Sequence, residues 1–173
     1  HDIGKPLTRT VGPDGIVHFY NHEHKGADMM TDIGERLRFS TREIRFTEFI
    51  IRNHIRPLYL FGGYEIKRLT RKGITRFFMK CRDYTPPLLL HSIADNMGKG
   101  DENDERTQAF TEFAKQLLAD FFSDFKSRKS EPPLIPGRDL IQQFGLEPSP
   151  FFKTLPNLVE EERLSKKIAN RQE

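Results

Sequence analysis

Residues 40–57 read Ser40-Thr41-Arg42-Glu43-Ile44-Arg45-Phe46-Thr47-Glu48-Phe49-Ile50-Ile51-Arg52-Asn53-His54-Ile55-Arg56-Pro57. Ser40 and Glu43 have the spacing of a capping box, in which a hydroxyl and a carboxylate satisfy the free N–H groups that open a helix. Ile44, Ile51 and Ile55 mark one stripe with Ile50 beside it, and Pro57, which has no donor to give, stops the run. The spacing predicts a helix over 41–55 with one buried face. His54 follows Ile50 and Ile51 by four and three residues, so its imidazole points inward, where an unpaired polar group is costly.

Towards the N-terminus, Ala27, Met30, Gly34 and Leu37 recur at helical steps and predict a helix over 22–37, with Asn21 as its cap. Gly26 lies four residues after His22, and its missing side chain lets a neighbouring helix come close. Residues 1–20 read as a loop with a turn at Pro13-Asp14-Gly15; a short pair near 15–20 is the one strand signal. Towards the C-terminus, residues 58–82 open aromatic and Gly-rich and continue basic, and read as a helix with breaks. Pro86 and Pro87 suit a helix start after Thr85. Leu88-Leu89-Leu90-His91-Ser92-Ile93-Ala94-Asp95 is apolar nearly all round, the pattern of a buried helix, and ends near Gly98. A charged loop over 101–106 leads into an amphipathic helix over 105–127 with Phe110, Phe113, Leu117, Phe121 and Phe125 on one face. A Pro-rich linker over 131–137 marks a boundary between 1–130 and 131–173. Beyond it, Pro148 and Pro150 separate two or three short helices. The fold class is all-α.

The chain of 173 residues is long enough for one domain with a small satellite, and its net charge of +3 is compatible with a phosphate-bearing partner. Cys81 is the single cysteine, which excludes an internal disulfide and fits a reducing cytoplasm. Basic neighbours could lower its pKa, but sequence places no partner His, so packing is its expected role. No apolar run reaches membrane-spanning length and no signal peptide is visible. The chain opens without Met and reads as a fragment.

The chemistry resides in widely spaced imidazoles and carboxylates: His1-Asp2, His22, His54 and Asp95. That donor set suits a divalent transition metal, which activates water at neutral pH. Asp95 sits at the inner end of an apolar helix and needs a cation or strong donors; a metal shared with His1 and Asp2 would meet that need. Taken singly, each residue has a plainer reading. His54 could be a satisfied core histidine, His91 could neutralise Asp95 from four residues earlier, and His18 and His24 read as surface residues.

His1-Asp2-Ile3-Gly4-Lys5-Pro6, His22-Glu23, Asn53-His54-Ile55-Arg56-Pro57 and Ala94-Asp95 occur in an order that resembles the HD superfamily of metal-dependent phosphohydrolases. Asp14-Gly15 through Phe19-Tyr20-Asn21-His22, Arg36-Leu37-Arg38-Phe39-Ser40, and Pro133 to Ile141 with Phe144-Gly145-Leu146 and 155–161 look like the HD domain and following segment of bacterial tRNA nucleotidyltransferases and poly(A) polymerases. The resemblance implies an HD helical bundle followed by a short helical C-terminal segment. It implies a divalent ion (nickel, cobalt, manganese, magnesium or iron) on His1, Asp2 and Asp95, with His22 and His54 holding a second ion or contacting phosphate. Lys5 and Arg56 would assist with phosphate charge. The family's first ligand His falls upstream of the dyad, and the nucleotide-adding head is not in these residues. Pro156 interrupts an expected continuous helix and predicts a kink.

The expected function is metal-dependent hydrolysis of a phosphomonoester or 2′,3′-cyclic phosphodiester on a nucleotide or RNA, with tRNA as a candidate partner. The alternative is a non-catalytic RNA-binding body with a vestigial site. In that reading Lys67, Arg68, Arg71, Lys72, Arg76, Lys80 and Arg82 track phosphates while Phe77 and Phe78 stack bases.

Overall fold

The structure, a computed structural model, describes residues 1–99, 104–147, 149, 152, 154–166 and 168. The elements run α1 (Lys5–Thr8), β1 (Arg9–Val11), β2 (Val17–Phe19), α2 (His22–Arg36), α3 (Thr41–Asn53), α4 (Arg56–Glu65), α5 (Arg71–Cys81), α6 (Thr85–Met97), α7 (Glu105–Asp120), α8 (Lys126–Ser130), α9 (Gly137–Gln142) and α10 (Thr154–Leu164). Among the described residues, the one sheet is the β1–β2 hairpin, paired antiparallel with Thr10 opposite His18. The expected 1–20 loop therefore holds a helical turn and a hairpin around Pro13-Asp14-Gly15, with Gly15 at φ 77°.

The capping box forms as the spacing predicts: the Ser40 hydroxyl accepts from the Glu43 N–H, and the Glu43 carboxylate accepts from the Ser40 N–H at 2.7 Å. Helix α3 ends at Asn53, two residues short of the expected 55, and Pro57 opens α4 instead of closing α3. Asn21 occupies the start of α2 but caps nothing with its side chain; it adopts the left-handed conformation, φ 62°, which turns the chain from β2 into the helix.

Two apolar layers hold the bundle. One joins α2 to α3 through Ala27, Met30 and Ile51. The other carries the phenylalanines of α7 and of the turn that follows it: Phe110 meets Phe61 edge to face at 5.4 Å, and Phe121 meets Phe78 at 5.5 Å. Each fully buried ring contributes about 1.5–3 kcal/mol. The expected 105–127 helix passes through a π-helical turn at Phe121–Phe125 before α8, and this turn keeps Phe121 and Phe125 both buried. Helix α6 is less enclosed than its sequence implies. Leu88 and Leu89 are fully buried, but Leu90 is 57% exposed.

Past the Pro-rich stretch, α10 packs on α5. Lys72 pairs with Glu161 and Glu162, and Arg76 with Glu161. Arg163 is buried and donates to Glu160, Glu131 and the Arg128 carbonyl. Pro156 produces no break in the helix. It lies in the first turn of α10, where a missing N–H costs no hydrogen bond. Pro148, Pro150 and residues 101–103 of the expected charged loop lie outside the described residues; Glu105 and Arg106 are helical. Among the described residues, no helix is long and apolar enough to cross a membrane.

Candidate metal centre

The N-terminal segment reaches the α2–α3 layer because two glycines let backbones touch. A Cβ on Gly4 would lie 2.1 Å from the His22 carbonyl oxygen, and one on Gly26 would meet Ile51 at 3.1 Å and the Gly4 nitrogen at 3.3 Å. Gly26 thus provides the close approach its spacing predicts, although the neighbour is the N-terminal strand of chain as well as a helix. Asp2 is thereby held over the start of α2 and the end of α3.

His22 and His54 sit at opposite kinds of helix end, the first residue of α2 and the C-cap of α3. Each ring uses Nδ1 on a carbonyl three residues earlier: His22 on Phe19 at 2.8 Å and His54 on Ile51 at 2.6 Å. The carbonyls can only accept, so the proton of each neutral ring is on Nδ1. The two Nε2 atoms then bring bare lone pairs to within 3.2 Å of each other. Asp2 Oδ1 faces the same point, 3.4 Å from His22 Nε2 and 3.9 Å from His54 Nε2. Burial pushes the His54 pKa down, with the neighbouring His22 adding to the effect, so the ring stays neutral and keeps its lone pair. Three such donor atoms converging on one point form a set that a cation can bridge.

The rest of the set surrounds that point. Ligand atoms of His1, Asp2 and His54 all lie within 4.8 Å of one another. His1 Nε2 bridges the two acids, 3.0 Å from Asp95 Oδ1 and 3.5 Å from Asp2 Oδ2. The dipeptide and the acid that ends α6 therefore meet, and Lys99 also pairs with Asp95. Lys5 donates to Asp2 Oδ2 at 2.6 Å. Burial pushes the Asp2 carboxyl up, but the hydrogen bond and the charge of Lys5 outweigh it, so Asp2 ionises more readily than usual. Ser92 donates to the His54 carbonyl at 3.2 Å and fixes α6 against the end of α3.

Arg56 lies at the junction of α3 and α4. Its Nε donates to Asn53 Oδ1 at 2.7 Å. At the first position of α4 the side chain folds back over the end of α3, and among the described residues it makes no contact with Asp2, His22 or His54. His91 is the residue that sequence reasoning undervalued. Its ring lies 4.7 Å from His1 and 6.1 Å from His54, and among the described residues its buried Nδ1 has no hydrogen-bond partner. Burial pushes its pKa down as well. Asp95 meets His1 and Lys99, while the His91 ring lies beside those of His1 and His54. The signal was present in the sequence, since His91 stands one turn before Asp95. Glu23 is also buried, 3.6 Å from His22 Nδ1. His24 is exposed and His18 stacks on Tyr20 at 5.0 Å.

The donor set fits a divalent transition ion. Imidazole nitrogen and carboxylate oxygen are its ordinary ligands. Bonds of ~2.1 Å place neighbouring ligand atoms about 3.0–3.4 Å apart, close to the 3.2 and 3.4 Å separations here. Both rings already have the backbone partner that fixes their tautomer.

Part of the basic stretch over 67–82 is engaged within the chain. Phe77 and Phe78 are core residues, 6% and 3% exposed, so they cannot stack bases. Lys72 and Arg76 are taken up by the acids of α10. Cys81 is fully buried, and desolvation pushes its thiol up to about 11, in keeping with a packing role.

No family model matches the chain. Among curated proteins it is similar to a CC-adding tRNA nucleotidyltransferase of Thermus thermophilus, 26% identical over 151 residues that cover 87% of this chain and 31% of that protein. It is similar to an A-adding tRNA nucleotidyltransferase of Deinococcus radiodurans, 26% identical over 153 residues, 87% of this chain and 32% of the relative. A CC-adding enzyme of Synechocystis sp. is 25% identical over 149 residues, 85% and 32% of the two chains. The chain thus spans about a third of the length of the curated relatives it matches. The likeness supports a relation to the tRNA nucleotidyltransferases over most of these 173 residues.

Proposed function

We propose that this chain is an HD-type, metal-dependent phosphohydrolase module of a protein related to tRNA nucleotidyltransferases. Its substrate would be a phosphomonoester or 2′,3′-cyclic phosphodiester on a nucleotide or RNA end. The observation that carries this reading is the 3.2 Å approach of the His22 and His54 Nε2 atoms beside Asp2, with both Nδ1 atoms already committed to carbonyls. His1, Asp2, His22, His54 and Asp95 would hold the ion, and His91 offers one further nitrogen. A divalent ion there would supply Lewis acidity towards phosphorus and lower the pKa of a water. Lys5 presents positive charge beside Asp2, where a phosphoryl oxygen would arrive. Residues 1–130 would form this module, with 131–173 as an appended helical segment locked on by the α5–α10 ion pairs.

Turnover of bis-p-nitrophenyl phosphate and 2′,3′-cyclic AMP with added nickel, cobalt or manganese tests the proposal. Asp2→Ala and His54→Ala should abolish it; hydrolysis that persists in folded Asp2→Ala contradicts it. The alternative, an RNA-holding body without hydrolysis, would have to use other residues than Phe77 and Phe78, which are core, and Lys72 and Arg76, which pair with the acids of α10 at the surface.

A further inference from the structure

A groove of about 860 Å³ runs beside the N-terminal half of α3, closed by α5 and the short 3-10 turn Arg82–Tyr84. Its wall is aromatic. Phe49 stacks on Tyr84 at 4.6 Å and 27°, and the Phe46 ring lies 5.8 Å from Tyr84. Phe46 is 39% exposed. Arg42, Lys80 and Arg82 line the groove, and among the described residues none of the three has an ion-pair partner. Glu43 is engaged with Ser40 at the helix cap, which leaves Asp83 as the acid facing the opening. A second cavity of about 540 Å³ shares Met79, Arg82 and Asp83 and extends the groove towards Lys126.

Arg82 is held at φ 48°, ψ −132°. That is a conformation glycine adopts easily and a residue with a Cβ does not. A strained backbone under a charged side chain that faces a cavity is the kind of outlier that gathers at ligand sites.

We propose that this groove binds a nucleoside phosphate whose base is unpaired. The base would lie on Phe46 and Tyr84, since any base offers a π-face to an aromatic wall. The phosphate would lie between Arg42, Lys80 and Arg82, whose donors match its oxygens. The ribose hydroxyls would donate to Asp83, a carboxylate that can only accept. Phe46 and His54 are separated by about 12 Å of α3 at ~1.5 Å per residue, so the groove is apart from the metal centre and the inference does not rest on hydrolysis there. A free mononucleotide and an unpaired nucleotide in an RNA strand present the same chemistry.

The test is fluorescence anisotropy of the full chain with a labelled single-stranded hexaribonucleotide, competed by AMP, in EDTA so that binding is read without turnover. Phe46→Ala should weaken binding about 5-fold or more, the loss expected for one stacked base. Arg82→Gly should weaken it about 10-fold through the lost phosphate contact, while its melting temperature equals or exceeds that of the parent. Asp83→Asn should erase the preference for the ribo- over the deoxyribo-oligonucleotide. Full competition by AMP identifies the free nucleotide as ligand; binding of the hexamer without competition identifies the strand; either supports the site. No binding of either probe at about 1 mM, or equal affinity in Phe46→Ala and Arg82→Gly, overturns the proposal, and an unchanged ribose preference in Asp83→Asn overturns the Asp83 contact.

Discussion

The alpha carbon of Gly4 packs so closely on His22 that a Cβ there would stand 2.1 Å from the His22 carbonyl oxygen. This contact fixes where Asp2 sits relative to the α2 imidazole. Gly4→Ala must push the N-terminal segment off α2. The expected loss is about 1–3 kcal/mol of stability, as for overpacking elsewhere. The cation affinity should fall about 10–100-fold, as when a supporting shell is disturbed. Calorimetric metal titration together with urea denaturation checks both.

An ion held on these donors would bind the folded chain and not the unfolded one, and so would stabilise the fold. At a free concentration of 100 times the dissociation constant the gain is about 2.7 kcal/mol. For a domain of this size that corresponds to a rise in melting temperature of roughly 5–11 °C. EDTA should remove the rise, and Asp2→Ala should show none of it.

The polar cluster under α10 predicts an acid limb. Burial raises the Glu160 carboxyl, but hydrogen bonds from Arg163 and Lys129 outweigh it and hold the group below its ordinary value. A depressed folded pKa gives stability that is complete above the unfolded value of about 4.3–4.5 and is lost as pH falls through the folded one. Unfolding free energy should therefore decline below about pH 4.5. Glu160→Gln should cost about 1–3 kcal/mol at pH 7, less than the loss of a lone buried partner, because Glu131 and the Arg128 carbonyl still hold Arg163. The same variant should also flatten the acid limb, which denaturation from pH 3 to 7 would show.

Cys81 should be silent to thiol reagents in the native chain. It is fully buried with its pKa raised to about 11, so the reactive thiolate is scarce at neutral pH. Ellman's reagent should count about one thiol only after denaturant is added.

The sequence revealed most where a local rule decides the outcome. Ser40 and Glu43 announced the start of α3, and the phenylalanine spacing announced the face of α7. The inward position of His54 followed from Ile50 and Ile51, and so the main donors were legible before their geometry was. What stayed hidden depends on helix ends and on distant partners. Arg56 looked placed for phosphate; the break after Asn53 puts it at the start of α4, where it donates back to Asn53 at the end of α3. Phe77 and Phe78 read as basic-face aromatics, but both are buried, Phe78 against Phe121 and Phe125 of the π-helical turn. His91 was visible only as a neighbour of Asp95, because nothing local reveals that His1 would take that acid. The acids of α10 that neutralise Lys72 and Arg76 are about ninety residues away, beyond any periodicity.

The most direct measurement is cobalt titration followed by visible absorption, comparing the parent chain with Asp2→Ala and His22→Ala. The shared cation site predicts ligand-field bands that saturate near one equivalent in the parent and are lost or strongly weakened in both variants. Saturation unchanged in the folded variants, or no bands in the parent, would contradict it.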